Sequence, residues 1–442
     1  MKKIVTVIVT ILLTCLFAFS GLQNENRVAY ADAPNAQWVK SVGGSNKDCF
    51  NSVIQTKDGD YVAVGYSYSP NISQSFHGCD DAIIAKFDPD GKQEWLKNFG
   101  GTDEDVFTSV QETKSGDYIV VGYSDSKNGD LLNGDFTTLN KGGTDGIIAE
   151  ISSEGKLQWI QSTGGGGRDE FDTLQTTNDQ GYIVTGFTNS TNGDMEGNKC
   201  SYNVPILVKF NSIGMKKWIR IIDSPKEHYQ ALQQMTDDSY IAAGYLSGVD
   251  LNNTYSPKGY MAILRKFNSS GYPQWVKSIG GSSYDEFYSV QPTSAKGYIA
   301  VGETSSNDGD FAGKNHGQHD GVIVKFDALG NTQWTKTWGG SANDGFYSVQ
   351  PTQDDGFIIA GYTESSDGDL LNSKDSDDDD AIIVKFDSNG NQQWLKTLDG
   401  KGSDKFDSAI QTKDQGYVAV GMSNSKTNSS SGNYAAIIAK FN

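Results

Sequence analysis

Near the start of the chain stands Gln37-Trp38-Val39-Lys40-Ser41-Val42-Gly43-Gly44, and the chain stops at Ile437-Ile438-Ala439-Lys440-Phe441-Asn442. Elsewhere the two texts occur together, the second one first. Ile382-Ile383-Val384-Lys385-Phe386 precedes Gln393-Trp394-Leu395-Lys396 across one turn, Asp387-Ser388-Asn389-Gly390. The last unit therefore lacks its final strand, and a spare copy of that strand lies at the other terminus. A sheet completed by both ends of one chain closes a ring and removes the free edges of an open array. An open solenoid would want polar capping repeats, and none stands here.

Working outward, the tryptophan text recurs at Trp38, Trp95, Trp159, Trp218, Trp275, Trp334 and Trp394, at intervals of 57 to 64 residues. Each unit offers four short strands rich in Val, Ile, Tyr and Phe, separated by turn signals. A Gly-Gly pair usually ends the tryptophan strand, as at Gly100-Gly101 and Gly339-Gly340; an acid and an aromatic open the next, as in Asp344-Gly345-Phe346-Tyr347-Ser348-Val349. Strands such as Ala381 to Val384 are apolar on both faces, which suits a sheet held between two others. Outside the N-terminal segment no helical period is sustained. These features predict an all-β fold: a closed seven-bladed β-propeller, four antiparallel strands per blade, the last blade completed by the N-terminal strand.

The text of Trp strand, Gly-Gly, Asp, Gly-Tyr and Lys-Phe-Asp resembles a family of bacterial secreted propeller repeats over essentially all of 36–442. The resemblance implies the fold and little about activity. The turn with Asp88, Gly91 and Trp95 is also similar to the tryptophan-docking motif of quinoprotein-type propellers, with one residue fewer between Asp and Gly. That similarity implies an architectural role for the seven tryptophans: the acid ties the turn, Gly supplies positive φ, and Trp fills the gap between sheets.

Lys2 and Lys3, the apolar run Ile4 to Phe19 and the small residues of Ala29-Tyr30-Ala31 form the pattern of a cleaved secretory signal, residues 1–31, with the propeller as 32–442. An uncleaved anchor and a lipoprotein site at Cys15 are the rivals. Cleavage leaves 33 basic against 54 acidic side chains, a net charge of −21 against −19 for the whole chain. That charge argues against nucleic acid and anionic membranes and leaves room for divalent cations or basic partners. The expectation is a secreted or cell-surface monomer with no membrane insertion once the signal is removed. Cys49, Cys79 and Cys200 remain, too few for a disulfide framework. Cys49 and Cys79 open the first and third strands of one unit, roughly 10 Å apart at ~4.8 Å per strand, beyond the ~7 Å bridging limit unless the loop folds back.

Two acidic features gather on the face that carries the loops between second and third strands, the upper face. One carboxylate precedes each innermost strand: Asp48, Asp105, Asp169, Glu227, Asp285, Asp344 and Asp404. They read either as a cation-binding ring or, favoured by their regularity, as acceptors for backbone groups of a tight turn. The second feature is a loop of alternating oxygens, Gly and Asp, ending at Asp130, Asp194, Asp310 and Asp369. It reads as an Asx-type turn or as a weak Ca2+ loop with hydroxyls where carboxylates should stand. The run Asp377 to Asp380 reads as solvated charge that could tighten such a site, and His316, His319 and Asp320 have a spacing open to zinc.

Departures from the repeat are more informative. The unit led by Trp218 has Ile222-Asp223 for Gly-Gly, then Pro225 and His228; its long loop, Leu246 to Gly259, lacks the Gly-Asp pattern and carries Tyr255. Before it, Met195 to Pro205 breaks the usual lead into a strand. One ligand needs unlike neighbours, so Tyr202, His228 and Tyr255 mark the expected contact region. The leading function is a binding or interaction propeller offering an acidic face to a glycan, a peptide or a protein, with no resident cofactor beyond the Ca2+ alternative. A polysaccharide-active or quinoprotein-like enzyme is the alternative, and a secreted antibacterial protein a weaker one. A polar residue in one blade only, pointing to the axis, is the sequence feature that would discriminate among these functions. No Gly-x-Ser-x-Gly, Walker or His-Glu-x-x-His motif is present.

Overall fold

Each repeat folds as one four-stranded antiparallel sheet, and seven such sheets stand in a ring. The computed structural model describes residues 33–73, 76–130, 141–224, 226–249, 255–370, 378–398, 400, 402–425 and 433–442, without the side chains of 248–249 and 255–258. The signal segment 1–31, Pro225 and Asp377 lie outside the described residues. Blades 1 to 6 run 48–99, 105–163, 169–221, 227–279, 285–338 and 344–398. Blade 7 takes Asp404–Gln411, Tyr417–Ser423 and Ala435–Phe441 from the C-terminus and Ala36–Val42 from the N-terminus. Trp38 faces Lys440 and Val39 faces Ala439 across that seam, and the Asn442 amide donates to Asn35 O at 3.2 Å. Each innermost strand also touches the innermost strands of both neighbouring blades, all the way round. Among the described residues no helix is long and apolar enough to cross a membrane.

The core lies between blades. Val62, Val64, Ala82 and Ile84 of blade 1 pack with Phe107, Tyr118 and Val120 of blade 2 in one buried cluster. The third strands carry this arrangement because both their faces are apolar: Ile83 and Ile84 point to opposite sides, and neither is exposed. The tryptophans complete the packing at the rim. Asp88 Oδ1 accepts the amides of Asp90 and Lys92 at 3.0 and 2.8 Å, and Gly91 sits at φ 76° with the Trp38 indole of the preceding blade against it. A Cβ on Gly91 would lie 2.6 Å from the indole, so only glycine fits. Trp394 alone meets no such turn, because the next one is the seam between the termini; it packs on Tyr417 at 5.1 Å, as Trp38, Trp95 and Trp275 pack on Tyr61, Tyr118 and Tyr298.

Two features differ from expectation. Most of the expected loop Leu246 to Gly259 is strand: Tyr240–Val249 and Tyr255–Phe267 extend past the seven residues usual in these positions and stay paired as far as Val249 and Tyr255, and residues 250–254 lie outside the described set. Met195 is not a departure either. Gly193–Met195, Gly309–Phe311 and Gly368–Leu370 are the same single 3-10 turn, and each drops an apolar residue, Met195, Phe311 or Leu370, wholly into the core.

Candidate functional site

Every innermost strand carries a bulge at the same place, after Phe50, Phe107, Phe171, Tyr229, Phe287, Phe346 and Phe406. A bulge re-aims one side chain. Here the bulged residues reach across to the next blade: Asn51 Nδ2 donates to Phe107 O at 2.9 Å, Thr108 Oγ1 to Phe171 O at 2.9 Å, and Gln230 Nε2 to Glu286. They stand between an upper mouth and a lower chamber, and two of them, Gln230 and Tyr288, border the chamber as well.

The repeated acids of the upper face have structural partners. Asp344 Oδ2 accepts the Gly340 amide and the Ser365 hydroxyl, both at 2.8 Å, and Oδ1 accepts Thr363 Oγ1. Asp48, Asp105 and Asp285 repeat this set with Ser67, Ser69, Ser124, Ser126, Thr304 and Ser306. Asp169 takes Gly165 N and Ser190 Oγ, and Asp404 is fully buried. Glu227 departs, accepting from Tyr229 and, at 2.5 Å, from Arg265 Nη1. The hydroxyls of the calcium-like loop are thus donors to a carboxylate in their own blade. The acids that end the loop are occupied too: Asp194, Asp310 and Asp369 accept the amides of Gly164, Gly280 and Gly339 at 3.2, 3.0 and 3.2 Å, and the Asp130 carboxylate lies 3.5 Å from His77 Nε2. Burial pushes Asp194 up, but Lys141 and Lys216 hold it below the usual range. Among the described residues, no three His, Cys, Asp or Glu side chains come together as a metal site. His316 turns to Asp320 at 2.8 Å and His319 to Glu303 at 3.7 Å, so the two histidines serve different carboxylates. In the acidic run, Asp379 pairs with Lys405 at 3.2 Å and Asp380 is buried in a strand. Cys49, Cys79 and Cys200 are free thiols; Cys49 Sγ lies 3.3 Å from Asp407 Oδ2, whose carboxyl burial lifts to about 6.

The three expected contact residues separate. Tyr202 is exposed beside Cys200 and Asp223. Tyr255 begins the lengthened hairpin of blade 4, and its side chain is outside the described set. His228 sits at the mouth with its ring between Phe187 (5.5 Å) and Tyr245 (5.3 Å). Burial lowers its pKa to about 4, so the imidazole is neutral at pH 7. Tyr245 stacks on Tyr260 at 4.5 Å and Tyr260 meets the exposed Tyr284 at 5.0 Å. A continuous aromatic ribbon thus runs from blade 3 through blade 4 to blade 5.

The ribbon leads to residues that the sequence reading missed. Glu286 and Glu303 face each other on neighbouring strands of blade 5. In the other blades the place of Glu303 is taken by Tyr66, Tyr123, Phe187, Tyr245, Tyr362 and Met422, so an acid stands there once. Tyr288 Oη donates to Glu303 Oε1 at 2.9 Å and Tyr362 Oη to Oε2 at 3.4 Å. Burial, with the Glu303 charge, lifts Glu286 to about 7. Tyr347 meets Tyr288 at 5.3 Å and stacks on Tyr362 at 5.5 Å, and Lys405 Nζ stands 4.3 Å from the centre of the Tyr362 ring. Carboxylates beside tyrosine faces form a place that attracts cations twice over, by charge and by ring quadrupole.

No known family and no curated protein matches the chain in sequence. Solved structures match its shape. BBS1N, in complex with ARL6DN, aligns over 92% of this chain and 96% of its own at 8% identity and a TM-score of 0.48. Drosophila Plexin A, in complex with Semaphorin 1b, aligns over 92% and 88% at 8% identity and 0.45. A protein from Lactobacillus plantarum aligns over 80% and 86% at 11% identity and 0.45. The likeness is one of fold, and the blade count rests on the strands themselves.

Proposed function

We propose that this chain is an interaction propeller, acting outside the cell, whose upper mouth grips a basic side chain of a polypeptide partner. The observation that carries the reading is the Glu286–Glu303 pair, present in one blade only and walled by Tyr288, Tyr347 and Tyr362. Two acids side by side with restricted water repel each other, and an inserted ammonium or guanidinium relieves that cost. The ribbon from Phe187 to Tyr284 supplies adjoining area for the residues that flank the basic one. The acidic balance of the chain supports attraction of such a partner from a distance. The extracellular setting rests on the N-terminal apolar run alone.

Calorimetric titration with hexalysine tests the reading. Binding strengthens from pH 6 to pH 8 as Glu286 gives up its proton, and Glu303→Gln weakens it at least tenfold, about 1.4 kcal/mol. Equal affinity of the variant and the parent would refute it.

A further inference from the structure

Below the bulged residues the axis opens into a chamber of ≈ 490 Å³, within the usual size of small-molecule sites, about 300–1,000 Å³. Ser109 and Gln111 both line the chamber, and Val110 between them, wholly buried, borders it too. Blades 2 to 6 each contribute a glutamine at this level: Gln111, Gln175, Gln233, Gln291 and Gln350. Blades 1 and 7, which are neighbours, place Ile54 and Ile410 there instead. An arc of five primary amides therefore faces a two-residue apolar wall.

Among the described residues, none of those five amides hydrogen-bonds to the protein, and neither do the hydroxyls of Ser52, Ser109, Thr173 and Ser408 beside them. Their counterparts one residue further on are engaged: Gln55, Gln234 and Gln411 accept amides of the adjoining blade at 2.8 Å. In the innermost strand of blade 4 glutamine is thus used in two ways, Gln234 as a tie between blades and Gln233 as a free donor and acceptor at the chamber. The lining cation, Lys413, is spent on Thr56 O and Lys57 O at 2.9 and 2.7 Å. What remains is an uncharged wall that both donates and accepts, with one apolar side.

We infer that the lower chamber is a second binding site, distinct from the upper mouth, that takes a neutral sugar unit. A pyranose carries hydroxyls around its rim and C–H groups on its faces, the same division as the amide arc and the isoleucine pair. A charged ligand finds no unspent counter-ion on this wall, because Lys413 already serves two carbonyls.

The test is ligand-observed NMR on the full chain with a panel of glucose, galactose, mannose, N-acetylglucosamine, maltose and cellobiose. At least one sugar binds saturably. The near-isosteric pair Gln233→Met with Gln291→Met weakens it tenfold or more with unchanged melting, and Glu303→Gln leaves it unaltered. Should the double variant melt early, Gln350→Met alone serves, with a loss of at least threefold. No binding by any member at 10 mM, or binding indifferent to the glutamines, overturns the inference; loss in Glu303→Gln assigns the sugar to the upper mouth and overturns it as well. None of these outcomes depends on hexalysine, so the two sites fail or stand separately.

Discussion

Blades 5 and 6 stand side by side, and each buries carboxylates at its upper end in a different way. In blade 6, Asp344 draws its donors from its own repeat: Gly340, Thr363 and Ser365. In blade 5, Glu286 and Glu303 face each other, and their donors come from Gln230 of blade 4, Tyr288 of blade 5 and Tyr362 of blade 6. The first arrangement recurs around the ring and holds a strand to a loop. The second occurs once and, among the described residues, leaves two facing acids with no Lys or Arg paired to them, only His319 Nδ1 at 3.7 Å from Glu303. A residue type that repeats with its partners is scaffold; one that appears once, held by unlike neighbours, marks a site.

That contrast can be broken or sharpened by substitution. The largest effect is expected for Asp344→Ala, which strands one amide and two buried hydroxyls; urea unfolding should show a loss of about 3 kcal/mol, with hexalysine binding intact in the folded protein. A loss of binding without loss of stability would erase the distinction between the blades. Glu286→Gln probes the other side. Burial and Glu303 raise the Glu286 carboxyl from 4.5 to about 7, so the folded state binds that proton more tightly than the unfolded one. Its contribution favours folding below pH 4.5 and is lost as pH rises through 7, at most about 3 kcal/mol across the window. Glu286→Gln should therefore flatten the fall in stability between pH 4.5 and 7, and an unchanged slope would contradict the assignment. The smallest effect belongs to Asp310→Ala, which removes one half-buried hydrogen bond from the Gly280 amide and should cost about 1 kcal/mol. Melting in calcium and in EDTA should coincide; a calcium-dependent rise abolished by Asp310→Ala would restore the metal reading of that loop.

The ring was legible because its signals are local and periodic. The Trp38 text lacks a partner strand before it and the Phe441 text lacks one after it, and sheet pairing does the rest. The hydroxyl-rich loop was ambiguous for a physical reason: oxygens that would ligate calcium are the same oxygens that donate to a buried aspartate, and only their direction distinguishes the two. The mouth was hidden by the bulges. The asymmetry in loop length and the missing Gly-Gly ahead of blade 4 point to His228 and not to Glu303. Glu303 sits in Gly302-Glu303-Thr304, an ordinary alternating strand, and which of its faces meets the axis depends on a bulge after Phe287 that no residue type announces. Comparing the residue that precedes the hydroxyl of Thr304 with its counterparts Tyr66, Tyr123 and Tyr362 would have exposed the single acid.

The most direct measurement is a crystal structure of the full propeller grown with hexalysine. The expected result is one lysine ammonium within hydrogen-bond reach of both Glu286 and Glu303, against the rings of Tyr288 and Tyr362. A peptide seated instead on the loop acids Asp194, Asp310 or Asp369, with the blade 5 pair unvisited, would contradict the account.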